Sequence, residues 1–364
     1  LFCIKNFIKK LIQRYLIMEI ILPIITSFLI VLLATPSFIT IAKMKHLFDD
    51  PTESRKIHSE KTPSMGGMMI FAGILFSFLL WLPIDKIGVI KYLVPAMLIM
   101  FFVGMKDDII GTAPAKKLAA HLFCAFIMVF MANVKLTSLH GLFGVREIPE
   151  YAGIMLSVFT YIVIINAFNL IDGVDGLAAG VGLISASFFG AWFYFANDWI
   201  YAILSFAIAG SLLGFLRFNF NPAKIFMGDS GSLTIGFLMA VLAIEMVEYK
   251  ATDLPNIIQN ISKPILAMSI LVYPLVDTIR VFTIRILSGV SPFRADRNHI
   301  HHRLLDLGLS HKQTVIVIYL FSLLVVGGAV FAQQFNPSYA FIVLTAAVIL
   351  STQIPFLFKL KRKK

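Results

Sequence analysis

An all-α, polytopic integral membrane protein with about 11 transmembrane helices is the fold class this sequence predicts, and three observations carry that expectation. Of 364 residues, 59% are hydrophobic and only 14% charged, with a mean hydropathy of +0.87. The apolar residues come in repeated blocks of about 20, the length that crosses ~30 Å of hydrocarbon. The basic residues concentrate in alternate loops. A β-barrel would show ~10-residue alternating segments, and a soluble α/β enzyme would not carry such runs. Cys3 and Cys124 are too few, and too deep in apolar sequence, for a disulfide framework or a zinc site. The net charge of +11 reads as the positive-inside bias of a membrane protein, with no nucleic-acid partner.

Taken in order, the expected spans are 19–42, 66–84, 89–105, 117–134, 152–170, 177–195, 199–216, 231–247, 264–287, 313–332 and 338–358. Each is predominantly apolar, with ends set to within a few residues. The odd-numbered loops and the tail at 359–364 hold 19 lysines and arginines, the even-numbered loops 6, so the odd loops and the tail belong in the cytoplasm. Every polar cluster that suggests chemistry falls in an odd loop: 43–65, 106–117, 169–176, 217–230 and 288–312. Residues 18–358 thus form one transmembrane domain with a cytoplasmic-face site and a basic cytoplasmic tail after it. Residues 1–17 conflict with this topology, because Lys5, Lys9, Lys10 and Arg14 precede an outward-facing start at Met18. They are expected to be a non-native extension with translation starting at Met18, or else a peripheral amphipathic helix.

The chemistry sits in five segments. Asp107 and Asp108 end the third span. Adjacent carboxylates repel, and they tolerate each other near solvent, a cation or bound Mg²⁺. Lys117, nine residues after Asp108, suits a phosphate or a membrane-boundary anchor. In 166–176 the pattern N-x-x-N-L-x-D-G-x-D-G spaces Asp172 and Asp175 so that one helical turn would put both on one face. Gly173 and Gly176 let the backbone approach a ligand. The stretch from Asn219 to Ser232 is irregular through Pro222. Its G-D-S-G-S reads as a helix N-terminus with free N–H groups for phosphate, where Asp229 either caps the helix or binds a cation. Phe226 either stacks on a base or packs. In 288–312, His299, His301 and His302 lack a cysteine partner for zinc; with Arg297 and Arg303 they suit a phosphate clamp. Lys61 stands before a glycine pair at a span entrance. In the ninth span, Asp277 and Arg280 are expected to neutralise each other. Acids for Mg²⁺, bases for phosphate and hydrophobic walls together fit transfer of a phosphate-linked group between a nucleotide and a lipid.

The segments TPSMGG, KDD, NAFNLIDGVDGLA, NPAKIFMGDSGS and DRNHIHHRLLDLG resemble, in order and over about residues 45–312, the motifs of the polyprenyl-phosphate N-acetylhexosamine-1-phosphate transferases of glycosyltransferase family 4. The resemblance implies transfer of a sugar 1-phosphate from a UDP-sugar to undecaprenyl phosphate, with release of UMP and with Mg²⁺, or Mn²⁺ in its place, as cofactor. The H-I-H-H segment is similar to the branch using UDP-GlcNAc; the peptidoglycan branch, using UDP-MurNAc-pentapeptide, has three adjacent histidines where Ile300 interrupts here. A secondary transporter is the alternative outside enzymes, but it would place acids at mid-membrane. Residue by residue, the resemblance places Asp107 and Asp108 beside the lipid phosphate, with Asp107 as base or orienting group, and Lys117 on phosphate. It gives Asn169 and Asp229 to Mg²⁺, Asp172 and Asp175 to metal or uridine, and Asn219 and Phe226 to the nucleotide. Arg297, His299, His301 and His302 go to pyrophosphate and sugar. One position departs: the third acid of the family's D-D-x-x-D is Gly111 here. The expected setting is the bacterial cytoplasmic membrane, with UDP-GlcNAc and undecaprenyl phosphate as partners and a homodimer as an admissible assembly.

Overall fold

The computed structural model describes residues 2–45, 62–83, 88–256, 258–289 and 298–358, with side chains from Ile20 onward. The described residues are predominantly helical, and among them there is no strand beyond isolated bridges such as Ser138 to Glu147. They are α1 (Phe2–Met44), α2 (Gly67–Trp81), α3 (Ile90–Ile110), α4 (Pro114–Phe126), α5 (Glu150–Leu170), α6 (Leu177–Phe195), α7 (Trp199–Asn219), α8 (Gly228–Glu248), α9 (Lys263–Ile270), α10 (Val272–Leu287), α11 (Ile300–Asp306), α12 (His311–Phe331) and α13 (Pro337–Leu357). α4 continues into a single π-helical turn, Ile127–Met131.

The expected count of about 11 spans is not reached on length and hydropathy: eight described helices pass, or nine if the bent pair α9–α10 is one span. Two expected spans fall short for identifiable reasons. α2 has only 15 residues, and α3 carries Lys91, Lys106, Asp107 and Asp108.

The expected ninth span, 264–287, is two helices bent by 78°. Pro274 causes the break. It has no N–H to offer the carbonyl of Ile270, which the Ser185 hydroxyl satisfies instead at 2.9 Å. The bend opens an apolar cavity of about 200 Å³ between α9, α10, α12 and α13, lined by Met268, Val272, Val276, Ile279, Leu344 and Val348.

α8 is the axis of the bundle. Of its most apolar stretch 89% is buried, against 17% for the lipid-facing α13. Lipid is as apolar as leucine, so helices associate in a membrane through close backbone packing at small residues. Gly210 and Gly214, one turn apart on α7, meet the Ile24 and Phe28 carbonyls of α1. Gly104 of α3 abuts the backbone of Asp229 and Ser230, and Gly67 of α2 abuts Gly231. These contacts fix α2 and α3 against the first turn of α8, where the polar residues gather. A methyl at Gly104 has no room, so Gly104→Ala is expected to push α3 off α8 and cost about 1–3 kcal/mol. The check is a lower Tm in detergent, with turnover falling too because Asp107 and Asp108 ride on the same helix.

The described loop contacts fall into two groups. At one end Thr137 and His140 meet Glu248, and the Tyr249 hydroxyl donates to the Ala196 carbonyl. At the other end the segments 62–67, 107–117, 169–176, 219–230 and 298–302 converge.

Candidate active site

The third span stays helical through its two aspartates and ends at Gly111, whose N–H returns to the Asp107 carbonyl. Gly111 has φ 71 and ψ 153, a conformation essentially restricted to glycine. The missing third acid of the D-D-x-x-D pattern thus has a backbone cause: the chain turns sharply there towards Pro114 and α4.

That turn lays α4 beside α3 and brings Lys117 over the acids. Lys117 Nζ donates to Asp107 Oδ2 at 2.7 Å and to Asp229 Oδ2 at 2.5 Å. Asn169, at the end of α5, donates from Nδ2 to Asp229 Oδ1 at 2.9 Å and to Ser232 Oγ at 3.1 Å. Four helices therefore meet at one carboxylate, that of Asp229.

Asp108 turns the other way. Its carboxylate accepts from Asp229 N–H at 2.7 Å, Ser230 N–H at 3.0 Å and Ser230 Oγ at 2.6 Å. The expected free N-terminus for phosphate is consequently occupied: a carboxylate from α3 caps α8, accepting two of its orphan N–H groups and facing its positive end. Asp229 does not cap its own helix; its side chain projects into the Lys117 cluster. Gly228 (φ 71) makes the tight entry possible, since a Cβ there would run into the Ser64 carbonyl and crowd the Asp108 carboxylate.

The pair Asp172 and Asp175 does not share a helical face, because 171–176 is a series of turns ending at Gly176 (φ 78). Asp172 faces Asp229 and Asp108, and burial followed by those two charges holds its carboxyl well above the usual carboxylate range. Asp175 is buried and accepts from Asn221 Nδ2 at 2.9 Å and Ala223 N–H at 3.0 Å. Asn219, also buried, accepts from Gly176 N–H at 3.0 Å and donates to the Ile225 carbonyl at 2.9 Å. Asp175 and Asn219 thus bind the 171–176 and 219–226 segments to each other. Phe226 belongs to the same floor through its backbone, which bonds Pro63 O and Gly66 N.

The histidine segment enters through α10 and α11. His299 Nδ1 lies 2.7 Å from Asp277 Oδ2, while Ile300 N–H donates to Asp277 Oδ1 at 2.8 Å. His301 Nδ1 shares a hydrogen bond with the Tyr273 hydroxyl at 3.1 Å. A Cβ on Gly173 would stand 3.5 Å from His301 Nε2, so this ring touches the aspartate-bearing turn. His302 packs on both neighbouring imidazoles, its centroid 4.5 Å from that of His301. The expected Asp277–Arg280 pairing is replaced: Asp277 serves His299, and Arg280 donates to the Asn298 carbonyl at 2.5 Å. Arg303 stands apart from the acids, with its guanidinium on the Pro355 and Phe358 carbonyls at the end of α13. Lys61 and Arg297 lie outside the described residues.

Asp277, His299 and His301 offer ligand atoms within 4.8 Å of one another. The 2.7 Å separation of Asp277 and His299 is that of a hydrogen bond; two ligands around one zinc ion stand roughly 3.3 Å apart. The acids on the other side suit a hard cation better. Oxygens of Asp107 and Asp229 converge on one cationic nitrogen, and the Asp172 carboxyl stands beside Asp229 and Asp108.

Burial lowers His301 to a pKa of about 3, so this imidazole is neutral in the folded protein near pH 7. Its unfolded form takes up a proton near pH 6.5, so the unfolded state binds more protons between those limits. Stability from this group is complete above about pH 6.5 and is lost on acidification, by up to about 1.4 kcal/mol per pH unit. His301→Gln, which keeps a partner for Tyr273, should flatten the fall of Tm between pH 7 and 5.

Sequence reasoning overlooked Tyr273, Ser230 and Ser232, and misassigned Asp277. A signal existed for the first and last. Tyr273 and Asp277 are four residues apart, on one face of a helix whose other face is Val272, Val276 and Ile279.

The class of protein that fold and site define is a multi-pass helical membrane protein with one acid- and histidine-lined site at the end of its bundle. Residues 90–247 match the family model described as glycosyl transferase family 4. The chain is 34% identical over 327 residues to a decaprenyl-phosphate N-acetylglucosaminephosphotransferase of Mycobacterium leprae, covering 83% of this chain and 82% of the relative. It is 34% identical over 307 residues to a probable undecaprenyl-phosphate N-acetylglucosaminyl 1-phosphate transferase of Bacillus subtilis, with coverage of 83% and 82%. An Escherichia coli K12 protein, undecaprenyl-phosphate alpha-N-acetylglucosaminyl 1-phosphate transferase, is 30% identical over 318 residues, with coverage of 84% and 82%. The chain belongs to glycosyl transferase family 4.

Proposed function

We propose that this protein transfers N-acetylglucosamine 1-phosphate from UDP-GlcNAc to undecaprenyl phosphate and releases UMP, the first membrane step of a cell-envelope polysaccharide. The observation that carries the reading is the meeting of Asp107, Lys117, Asn169 and Asp229, from four helices, at a bundle end that also holds the histidines. Relatives named for polyprenyl-phosphate N-acetylglucosamine transfer support the same acceptor and sugar. The positive-inside bias supports a cytoplasmic face in the bacterial inner membrane, where the soluble donor is found.

In this reading a lipid phosphate oxygen attacks the β-phosphorus of UDP-GlcNAc. The new P–O bond forms as the bond from the β-phosphorus to the bridging oxygen breaks, and UMP departs with that electron pair. A phosphate monoester, with a second pKa of about 6, is already largely ionised near neutrality and needs no strong base. Asp107 therefore orients Lys117, and Lys117 offsets charge on the phosphates. Asp229 and Asp172, with Asn169 beside them, would hold Mg²⁺, which when bound neutralises the pyrophosphate and favours UMP as leaving group. His299, His301 and His302 face the sugar phosphate. The polyprenyl chain takes the apolar side, for which the cavity beside α10 is suited: that helix turns Tyr273 and Asp277 to the histidines and Val272, Val276 and Ile279 to the cavity.

The test is product analysis with the purified protein, Mg²⁺ and undecaprenyl phosphate, in which UDP-GlcNAc competes with UDP-GalNAc and UDP-MurNAc-pentapeptide. A GlcNAc-pyrophosphoryl lipid as main product is expected. Preference for the pentapeptide substrate would overturn the sugar assignment, and transport of an unmodified substrate would overturn the reaction.

A further inference from the structure

Asp277 has no part in the phosphate chemistry outlined above, yet its side chain is fully buried and both of its carboxylate oxygens engage the start of the histidine segment. Oδ1 accepts the N–H of Ile300, the first residue of α11, and Oδ2 accepts Nδ1–H of His299 directly before it. One carboxylate on α10 therefore fixes both the backbone entry to α11 and the ring of the residue at that entry. An ionised carboxylate only accepts, so the ring must present its proton at Nδ1. With Nδ1 engaged by the carboxylate, Nε2 on the opposite edge of the ring is the nitrogen left for another partner. The ring also stacks on His301, centroids 5.3 Å apart and 13° from parallel. His301 is held in turn by Tyr273, one turn before Asp277, and rests against Gly173.

We infer that Asp277 is a positioning residue for the transfer: it sets the tautomer and direction of His299 so that Nε2 addresses the sugar-phosphate oxygens of the donor. The inference rests on the reading of this site as a sugar-phosphate transferase. It adds a residue outside the motif segments, 22 positions before the histidine it serves. A hydrogen bond to Nδ1 selects which ring nitrogen is left for work, the arrangement by which carboxylates orient catalytic and ligating histidines. With Nδ1–H engaged, Nε2 offers a lone pair in the neutral ring and a donor in the charged one.

Asp277→Asn keeps the size and an acceptor for Ile300 N–H, but its amide cannot accept from Nδ1–H at the second position. The expected result is a fall in kcat of about 10- to 100-fold with KM for UDP-GlcNAc changed less than about threefold. His299→Gln should lower kcat at least as far, and the double variant should be no worse than His299→Gln alone. In the wild-type protein, ¹⁵N NMR of labelled histidine, assigned by loss of a signal in His299→Gln, should show His299 protonated at Nδ1. That spectrum needs neither turnover nor a folded Asp277 variant. A lone pair on His299 Nδ1, or additive losses in the double variant, would overturn the inference. Failure of the wild-type protein to release UMP would instead overturn the transferase reading and leave the NMR result standing.

Discussion

Asp229→Asn is expected to lower kcat by about 10²–10³-fold or more while leaving Tm nearly unchanged. The asparagine keeps the volume and still accepts from Asn169 or Lys117, so the helix packing around it survives. What it removes is the negative charge to which α4 and α5 direct their donors: Lys117 Nζ at 2.5 Å and Asn169 Nδ2 at 2.9 Å. Without it Lys117 turns wholly to Asp107, and the oxygen set proposed for Mg²⁺ loses its centre. UMP release measured against Mg²⁺ concentration checks this. A variant within about threefold of wild type at every Mg²⁺ concentration would exclude Asp229 from the chemistry.

Asp108→Ala should behave differently from its neighbour. Its three accepted hydrogen bonds all go to the first turn of α8, so its removal uncovers a helix end inside the protein. Losing a cap costs about 1–2 kcal/mol, and losing a carboxylate at the positive end of a partly buried helix up to about 2 kcal/mol more. The expected outcome is a clear drop in Tm together with loss of turnover. Asp108→Asn should fall in between, since its carbonyl oxygen still accepts. Asp107→Ala should lose turnover with little change in Tm, because its carboxylate accepts from Lys117 and also lies against the Asp229 carboxylate, a like charge whose removal offsets the lost ion pair. Equal Tm values for the two alanine variants would contradict the division of labour between these adjacent acids.

Much of this was legible in the sequence because hydropathy and charge are local properties. Blocks of ~20 apolar residues mark helices whatever their partners, and the loop charges predict that the motif segments share one end, where the structure gathers those it describes. Tertiary adjacency was not legible. Adjacent Asp107 and Asp108 read as a pair, yet α3 rotates one towards Lys117 and the other towards α8. The spacing of Asp172 and Asp175 suggested one helical face, but glycines at 173 and 176 let the chain turn and sent the two carboxylates to different neighbours. Arg303 read as part of a phosphate clamp and instead covers the end of α13. Pro274 carried the signal for the bend between α9 and α10, and a search for long apolar runs passes over a single proline.

The shared site makes one measurement decisive. UDP-GlcNAc labelled with ³²P at the β-phosphate is given to the purified protein with Mg²⁺, with and without undecaprenyl phosphate. Label is expected to move to the lipid, with stoichiometric UMP, only when the lipid phosphate is present, and none is expected to stay on the protein. UMP release without acceptor, or ³²P bound to an aspartate, would contradict direct transfer between two substrates at this site.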